Sequence, residues 1–294
     1  MEQYSHISEV NLNKFDLAVI CTPANTHLDL MHLCTQKGLP FMVEKPLAVT
    51  KVGILGLIDE VRAKKLVAHV GYVRRVTDQL QTLREQIQNG KIGDLKLAYL
   101  NSSQEFPKYR PDFQKTYYAK PEMGGGAILD AASHIFDLLI WIMGIPAEVS
   151  CMYDRLVLQG TETEDTCLIN IRFASGAMAN VTINQFQKPN TNRYEFIGTK
   201  GNLVLDHSNL MFFDSDGPDA TEAKNFMEGM VPMDVHQATF TLQAHAMLDA
   251  IEGLPCNLAT LEEAYLNLHL ALAAKKSWDE RKVISALLES GDAE

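Results

Sequence analysis

Leu39-Pro40-Phe41-Met42-Val43-Glu44-Lys45-Pro46 sets a glutamate and a lysine at the very end of an apolar run, where charges are costly unless they are used. The run is the second of two. Phe15 to Cys21 is almost continuously apolar, as a parallel strand covered on both faces must be. Between them, Thr26 to Lys37 spaces Leu28, Met31, His32 and Cys34 as a helix would, and Gly38 stands where its cap is wanted. Strand, helix and strand make a βαβ unit with a right-handed connection expected. Open parallel sheets bind ligands beyond the carboxyl ends of their strands. Thr22-Pro23 and Glu44-Lys45-Pro46 are therefore expected to face one cleft, although on spacing alone Lys45 reads equally well as a solvated lysine at a strand end.

A second constellation begins at Gly124-Gly125-Gly126, which runs directly into an apolar helix from Ala127 to Met143, stopped by Gly144 and Pro146. Asp130 and His134 lie four apart and share one face of it. A carboxylate and an imidazole among apolar neighbours must be paired or functional. The plainer alternative is an intrahelical Asp–His hydrogen bond in the core, or a helix cap for Asp130. Three glycines let another backbone approach closely. They are not a phosphate loop, because no G-x-G-x-x-G follows a strand here.

Taken in order, Thr22-Pro23 with His27, Glu44-Lys45-Pro46, Val70-Gly71-Tyr72-Val73-Arg74-Arg75, the three glycines with Asp130 and His134, and Gly198-Thr199-Lys200-Gly201 resemble the Gfo/Idh/MocA oxidoreductases. This is the glucose-fructose oxidoreductase and inositol dehydrogenase group, and the resemblance spans nearly the whole chain. It implies an N-terminal Rossmann domain that binds NAD or NADP, here residues 1–92, and a C-terminal substrate and oligomerisation domain on a large, mostly antiparallel sheet, here residues 93–294. It also implies hydride transfer from a sugar, inositol or related polyol. On that basis Lys45, Asp130 and His134 are the catalytic residues, and Thr22, Pro23, Asn25, His27, Glu44 and Lys45 border the cofactor. Tyr72, Arg74, Asn184 and Gln185 supply contacts to the substrate. Arg74 and Arg75 read more simply as surface or interdomain ion pairs.

The sequence departs from the family pattern at its beginning. The first two β–α units and the glycine-rich dinucleotide fingerprint are not found ahead of Tyr4 and Ser5, and Ala24 stands where the family has Asn after Thr-Pro. A βαβ unit takes about thirty residues. The fold expected is therefore α/β with a Rossmann domain lacking its N-terminal part, followed by an α+β domain, and binding of the dinucleotide is expected to be weak. The competing reading is a non-catalytic relative that keeps the second domain as a binding or oligomerisation module.

Composition narrows the partners. The chain has 294 residues, 46% of them hydrophobic, and a formal net charge of −11 with its basic residues scattered, so no nucleic-acid or anionic-membrane surface is expected. Cys21, Cys34, Cys151, Cys167 and Cys256 are odd in number and lack paired spacing. They read as buried thiols of a cytoplasmic protein, without disulfide frame or metal site. No leader-like start and no unbroken apolar run of membrane length is read.

Helices are expected over Leu47–Lys65, Thr77–Asn89, Thr239–Glu252 and Leu261–Trp278, and a strand over Leu66–Val73. Alternating segments at Leu95–Asn101, Glu148–Leu158, Thr166–Ala174, Ala177–Phe186, Arg193–Gly198 and Asn202–Asp206 suit an antiparallel sheet covered on one face. Ser175-Gly176 and Lys200-Gly201 are hairpin signals, and Asp214–Ala223 reads as a polar loop. A sheet with one open face is expected to pair with copies of itself as a homodimer or homotetramer.

Overall fold

The computed structural model describes residues 2–214, 220–228 and 232–288. The βαβ unit forms with shorter strands than its apolar runs suggest. β1 (Ala18–Ile20), α1 (His27–Lys37), β2 (Phe41–Val43), α2 (Ile54–Ala63) and β3 (Ala68–Val70) follow in turn. The three strands are parallel, with Ala18, Phe41 and Ala68 in register. Phe41 and Val43 are buried with Met31 of α1 and Ile54 and Leu57 of α2, which is what a doubly covered central strand requires. The helix expected from Leu47 begins only at Ile54. Gly53 before it has φ of 80°, a left-handed turn that no helix interior accommodates.

After α3 (Asp78–Gln88) the chain enters a second sheet through β4 (Leu95–Glu105) and leaves it by the short α4 (Phe106–Tyr109) and three 3-10 turns between 113 and 123. A π-helical segment, Ala127–Ala132, then leads into α5 (Ser133–Met143). β5 (Pro146–Asp154), β6 (Thr166–Phe173), β7 (Met178–Asn184), β8 (Phe186–Gly198), β9 (Gly201–Asp206), β10 (Asn209–Asp214) and β11 (Glu222–Asn225) come next. The chain closes with α6 (Pro232–Ile251), β12 (Ala259–Thr260), α7 (Leu261–Glu280) and β13 (Ile284–Ser285).

The second sheet has nine strands in the order β11-β10-β9-β8-β4-β7-β6-β5-β13. It is antiparallel except where β4 runs parallel to β7, a pairing that alternation alone does not disclose. Both expected hairpins are present, joining β6 to β7 and β8 to β9. Of the expected loop at 214–223, residues 215–219 lie outside the described residues, and Glu222 and Ala223 pair with β10. Along β6, Cys167, Ile169, Ile171 and Phe173 turn inward beneath α5 and α7, while Leu168, Asn170 and Arg172 face out. Among the described residues one stretch, Pro121–Met143, is long and apolar enough to cross a membrane, and 83% of its apolar window is buried inside the protein as the central core helix.

The two sheets are tied together in the chain's last third. β12 returns to the first sheet and pairs antiparallel with β3, Ala259 opposite Val70 and Thr260 opposite His69. Just beyond β3, buried Arg75 donates through Nε and Nη2 to the Asp137 carboxylate of α5 at 2.7–3.0 Å, and through Nη1 to Glu263 Oε2 at 2.7 Å. Glu263 also closes the capping box of α7, accepting from the Thr260 N–H at 3.0 Å. Arg75 is thus an interdomain ion pair, as its sequence position suggested. Burial pushes the Asp137 carboxyl up to about 6, against the pull of Arg75. Removing one partner strands a buried charge, which typically costs about 3–5 kcal/mol. Asp137→Ala is expected to lose stability of that order in chemical denaturation. A loss under about 1 kcal/mol, the scale of an exposed pair, would show that the network does not hold the domains.

Candidate functional site

The site is assembled where β1 and β2 end. β1 passes through Cys21, Thr22 and Pro23 into a 3-10 turn, Ala24–Thr26, while β2 continues into Glu44, Lys45 and Pro46. His27, 1% exposed, ties the two loops together: its Nε2 lies 2.8 Å from the Thr22 carbonyl and its Nδ1 3.0 Å from that of Pro46. Burial holds this imidazole below its usual pKa. A neutral ring carries one N–H and donates to one of the two carbonyls at a time. His27 therefore shapes the loops from beneath, whereas Thr22 and Asn25 are exposed on them. Glu44 is half-buried, and desolvation pushes its carboxyl up although Lys45 draws it down.

Gly124 docks the second domain against these loops, while Gly125 and Gly126 pack within that domain, against Tyr117, Tyr118 and Glu164. A Cβ on Gly124 would lie 3.0 Å from that of Ala24, and one on Gly125 would collide with the carbonyls of Tyr117 and Tyr118. The helix start they deliver is capped by Glu164, whose Oε1 accepts the Ile128 N–H at 2.9 Å and whose carbonyl accepts that of Ala127 at 2.9 Å. Lys275 pairs with the same carboxylate at 3.1 Å.

Lys45 reaches across the seam. Its Nζ donates to Asp130 Oδ1 at 2.7 Å and to the Asp130 carbonyl at 3.0 Å, with the two side chains only 14% and 11% exposed. The hydroxyl of Tyr117 donates to the same Oδ1 at 2.8 Å. The expected α-helix is here a π turn, in which the Asp130 carbonyl takes Lys45 and, at 3.3 Å, the Ser133 hydroxyl. Such widened turns are frequent at functional sites. The Asp130 carboxylate consequently turns to Lys45 and Tyr117 and makes no hydrogen bond to His134, so a core Asp–His pair is not what this helix holds.

His134 stands edge-on to buried Tyr72, ring centroids 6.2 Å apart, with Nδ1 buried and without a partner. Burial, and then the positive fields of Lys45 and Arg74, press its imidazole well below the ordinary histidine range. The ring is neutral at pH 7. Arg74 lies beside it, donating to the Tyr194 hydroxyl and, at 3.2 Å, to Ser102. Asn184 and Gln185 sit further along, at the β7–β8 junction. Asn184 bonds Gln187 at 2.9 Å; Gln185 is fully buried, accepts from Gln104 at 3.2 Å, and leaves its Nε2 without a partner. Neither hydrogen-bonds Lys45, Asp130 or His134. Sequence reasoning missed Tyr117 and Glu164, which lie on irregular segments with no periodicity to mark them.

The sequence model described as oxidoreductase family, NAD-binding Rossmann fold, matches residues 1–72, and the GFO/IDH/MocA C-terminal domain matches residues 80–204. Myo-inositol 2-dehydrogenase of Thermotoga maritima is 23% identical over 278 residues, covering 92% of this chain and 79% of its own. The WlbA dehydrogenase of Chromobacterium violaceum, solved with NADH and UDP-GlcNAcA, superposes with a TM-score of 0.80 at 20% identity, covering 97% of this chain and 82% of its own. A levoglucosan dehydrogenase solved with NADH and levoglucosan gives 0.81 at 22% identity, over 93% and 80%. A parallel sheet with ligand-facing strand ends, joined to a large mixed sheet, is thus the fold of a two-domain dehydrogenase. The chain belongs to the Gfo/Idh/MocA family and is an NAD(P)-dependent oxidoreductase acting on CH–OH groups.

The match over residues 1–72 overturns the expectation of an α/β fold with an N-terminally truncated Rossmann domain: the Rossmann part is present. That expectation rested on the first two β–α units and the glycine fingerprint not being found ahead of Tyr4 and Ser5. The non-catalytic alternative rested on the same absence and loses its ground with it.

Proposed function

We propose that Lys45, Asp130 and His134 oxidise a secondary alcohol of a sugar, inositol or related polyol. In this reading residues 1–92 hold NAD or NADP and residues 93–294 bind the substrate. The names of the inositol and levoglucosan dehydrogenases among its relatives support the substrate class. The observation that carries the reading is a lysine ammonium fixed at a strand's carboxyl end, 2.7 Å from Asp130 and beside a neutral histidine. Thr22, Pro23, Asn25, Glu44 and Lys45, with His27 beneath them, line the place where the cofactor's nicotinamide fits beyond β1 and β2. When bound, that ring accepts the hydride.

The chain's own residues do the rest. His134, kept neutral, takes the hydroxyl proton as the carbon gives up its hydride. Its depressed basicity makes it a weak base, so Lys45 must lower the charge cost on the same oxygen by donating to it from Nζ. Asp130 holds the ammonium in place. Tyr72 and Arg74 flank His134 and, with Asn184 and the unpartnered amide of Gln185, offer polar contacts to the remaining hydroxyls. Lys45→Ala and His134→Ala are each expected to reduce kcat about a hundredfold or more against a panel of inositols and sugars with NAD+ or NADP+, while the thermal melt stays cooperative. Near-wild-type turnover in Lys45→Ala would reject the assignment.

The assembly proposed is a homodimer or homotetramer through the outer face of the nine-stranded sheet. Tyr99, Met152, Leu168 and Met178 are each at least 45% exposed there, and Met152 stands opposite Leu168 on neighbouring strands. The five free thiols support a cytoplasmic location. Light scattering is expected to return two or four times the 32.8 kDa chain mass; a monomer at high micromolar concentration would contradict the pairing.

A further inference from the structure

The segment from α4 to the three glycines is anchored as a strap across the site. Phe106, Phe113, Tyr118 and Leu158 form a small apolar cluster separate from the main core, with Phe106 and Tyr118 ring centroids 4.2 Å apart. The Thr163 hydroxyl donates to the Tyr118 carbonyl at 2.8 Å, and the Glu162 N–H to that of Ala119 at 2.9 Å. Gly125 lies directly against the Tyr117 and Tyr118 carbonyls. With Tyr118 turned into the cluster, its neighbour Tyr117 turns the other way and meets Asp130. Its hydroxyl and Lys45 Nζ arrive at one carboxylate oxygen, at 2.8 and 2.7 Å. Two donors fill the lone pairs of Oδ1. Oδ2 accepts no hydrogen bond among the described residues.

We propose that Tyr117 is a positioning residue of this dehydrogenase: its hydroxyl locks the Asp130 carboxylate in the rotamer that holds Lys45, leaving Oδ2 for a hydroxyl of the substrate. The inference rests on the catalytic reading of Lys45 and Asp130 given above. Burial first, then the Asp130 charge, raises the pKa of the Tyr117 hydroxyl, so it remains a donor throughout the working range. The competing role is that of a loop anchor, since the ring packs at the mouth of the site. The two roles separate because an anchor acts through ring contacts, whereas a positioning residue acts through one oxygen and through Asp130.

Tyr117→Phe removes that oxygen and keeps the ring, which at 39% exposure tolerates the change. The first measurement needs neither cofactor nor substrate: the rate at which trinitrobenzenesulfonate labels Lys45, followed by peptide mass spectrometry. Losing a hydrogen bond to a charged group shifts an equilibrium by about tenfold or more, so Lys45, less firmly held, is expected to label several times faster. Adding Tyr117→Phe to Asp130→Asn is expected to change nothing further, the non-additivity of a shared path. In turnover, Tyr117→Phe is expected to lower kcat about tenfold with the KM for NAD+ unchanged. An unchanged or slower labelling rate overturns the inference, as does an effect equally large in the Asp130→Asn background. If Lys45→Ala and Asp130→Asn abolish turnover while Tyr117→Phe is silent, only the role of Tyr117 falls. If Lys45→Ala itself retains turnover, the catalytic reading falls and takes this one with it.

Discussion

The contact between Lys45 and Asp130 is the constraint around which the rest of the molecule is arranged. Taking an ammonium and a carboxylate out of water costs about as much as their attraction returns, so such a pair is poor as a source of stability. Much of the architecture nevertheless brings them together. The short strand β2 ends at the right place to aim Lys45 across the seam, and glycines replace side chains where the second domain's backbone must approach. The π turn directs both the carbonyl and the carboxylate of Asp130 at Nζ. Away from the cleft, Arg75 with Asp137 and Glu263 fixes β3, α5 and α7 to one another, so the relative placement of the two sheets does not depend on Lys45 and Asp130.

The same lysine has two electrostatic consequences. It lowers the proton affinity of His134 and, in the reaction proposed, offers a positive charge to an oxygen that becomes negative as its proton leaves. In that proposal the first effect keeps the imidazole in its neutral, proton-accepting form, and the second compensates for the weak base that results. Asp130 moderates both by neutralising part of the lysine's field. A site built this way does not need a strong base, provided proton and hydride leave the substrate together.

Much of this was legible from residue order. Leu39–Val43 declared its parallel strand by apolar character; Phe15–Cys21, broken only by Asp16, declared one too, but β1 is confined to Ala18–Ile20 and is not covered on both faces, since Val19 is 52% exposed. The charges following Val43 marked the edge of the candidate site. The three glycines were read correctly as a close approach. The π turn was not legible, because apolar residues at 127–143 satisfy helical spacing whichever way the first turn is wound. Tyr117 was hidden in a segment whose conformation comes from tertiary contacts with Phe106, Phe113 and Leu158. β12 is two residues long and sits between two helices, so no periodicity announces it. The misjudged beginning has the opposite origin: the first two β–α units and their loop motif, not found ahead of Tyr4, were allowed to outweigh the Rossmann pattern of residues 1–72.

The central claim, that Lys45 sits close enough to govern the protonation of His134, is tested most directly by nuclear magnetic resonance titration of the His134 ring in the wild type and in Lys45→Met. The account expects the wild-type ring to stay neutral well below pH 6.5 and its midpoint to rise when the lysine charge is removed. A ring that titrates near the ordinary 6.5 and does not respond to Lys45→Met would contradict it.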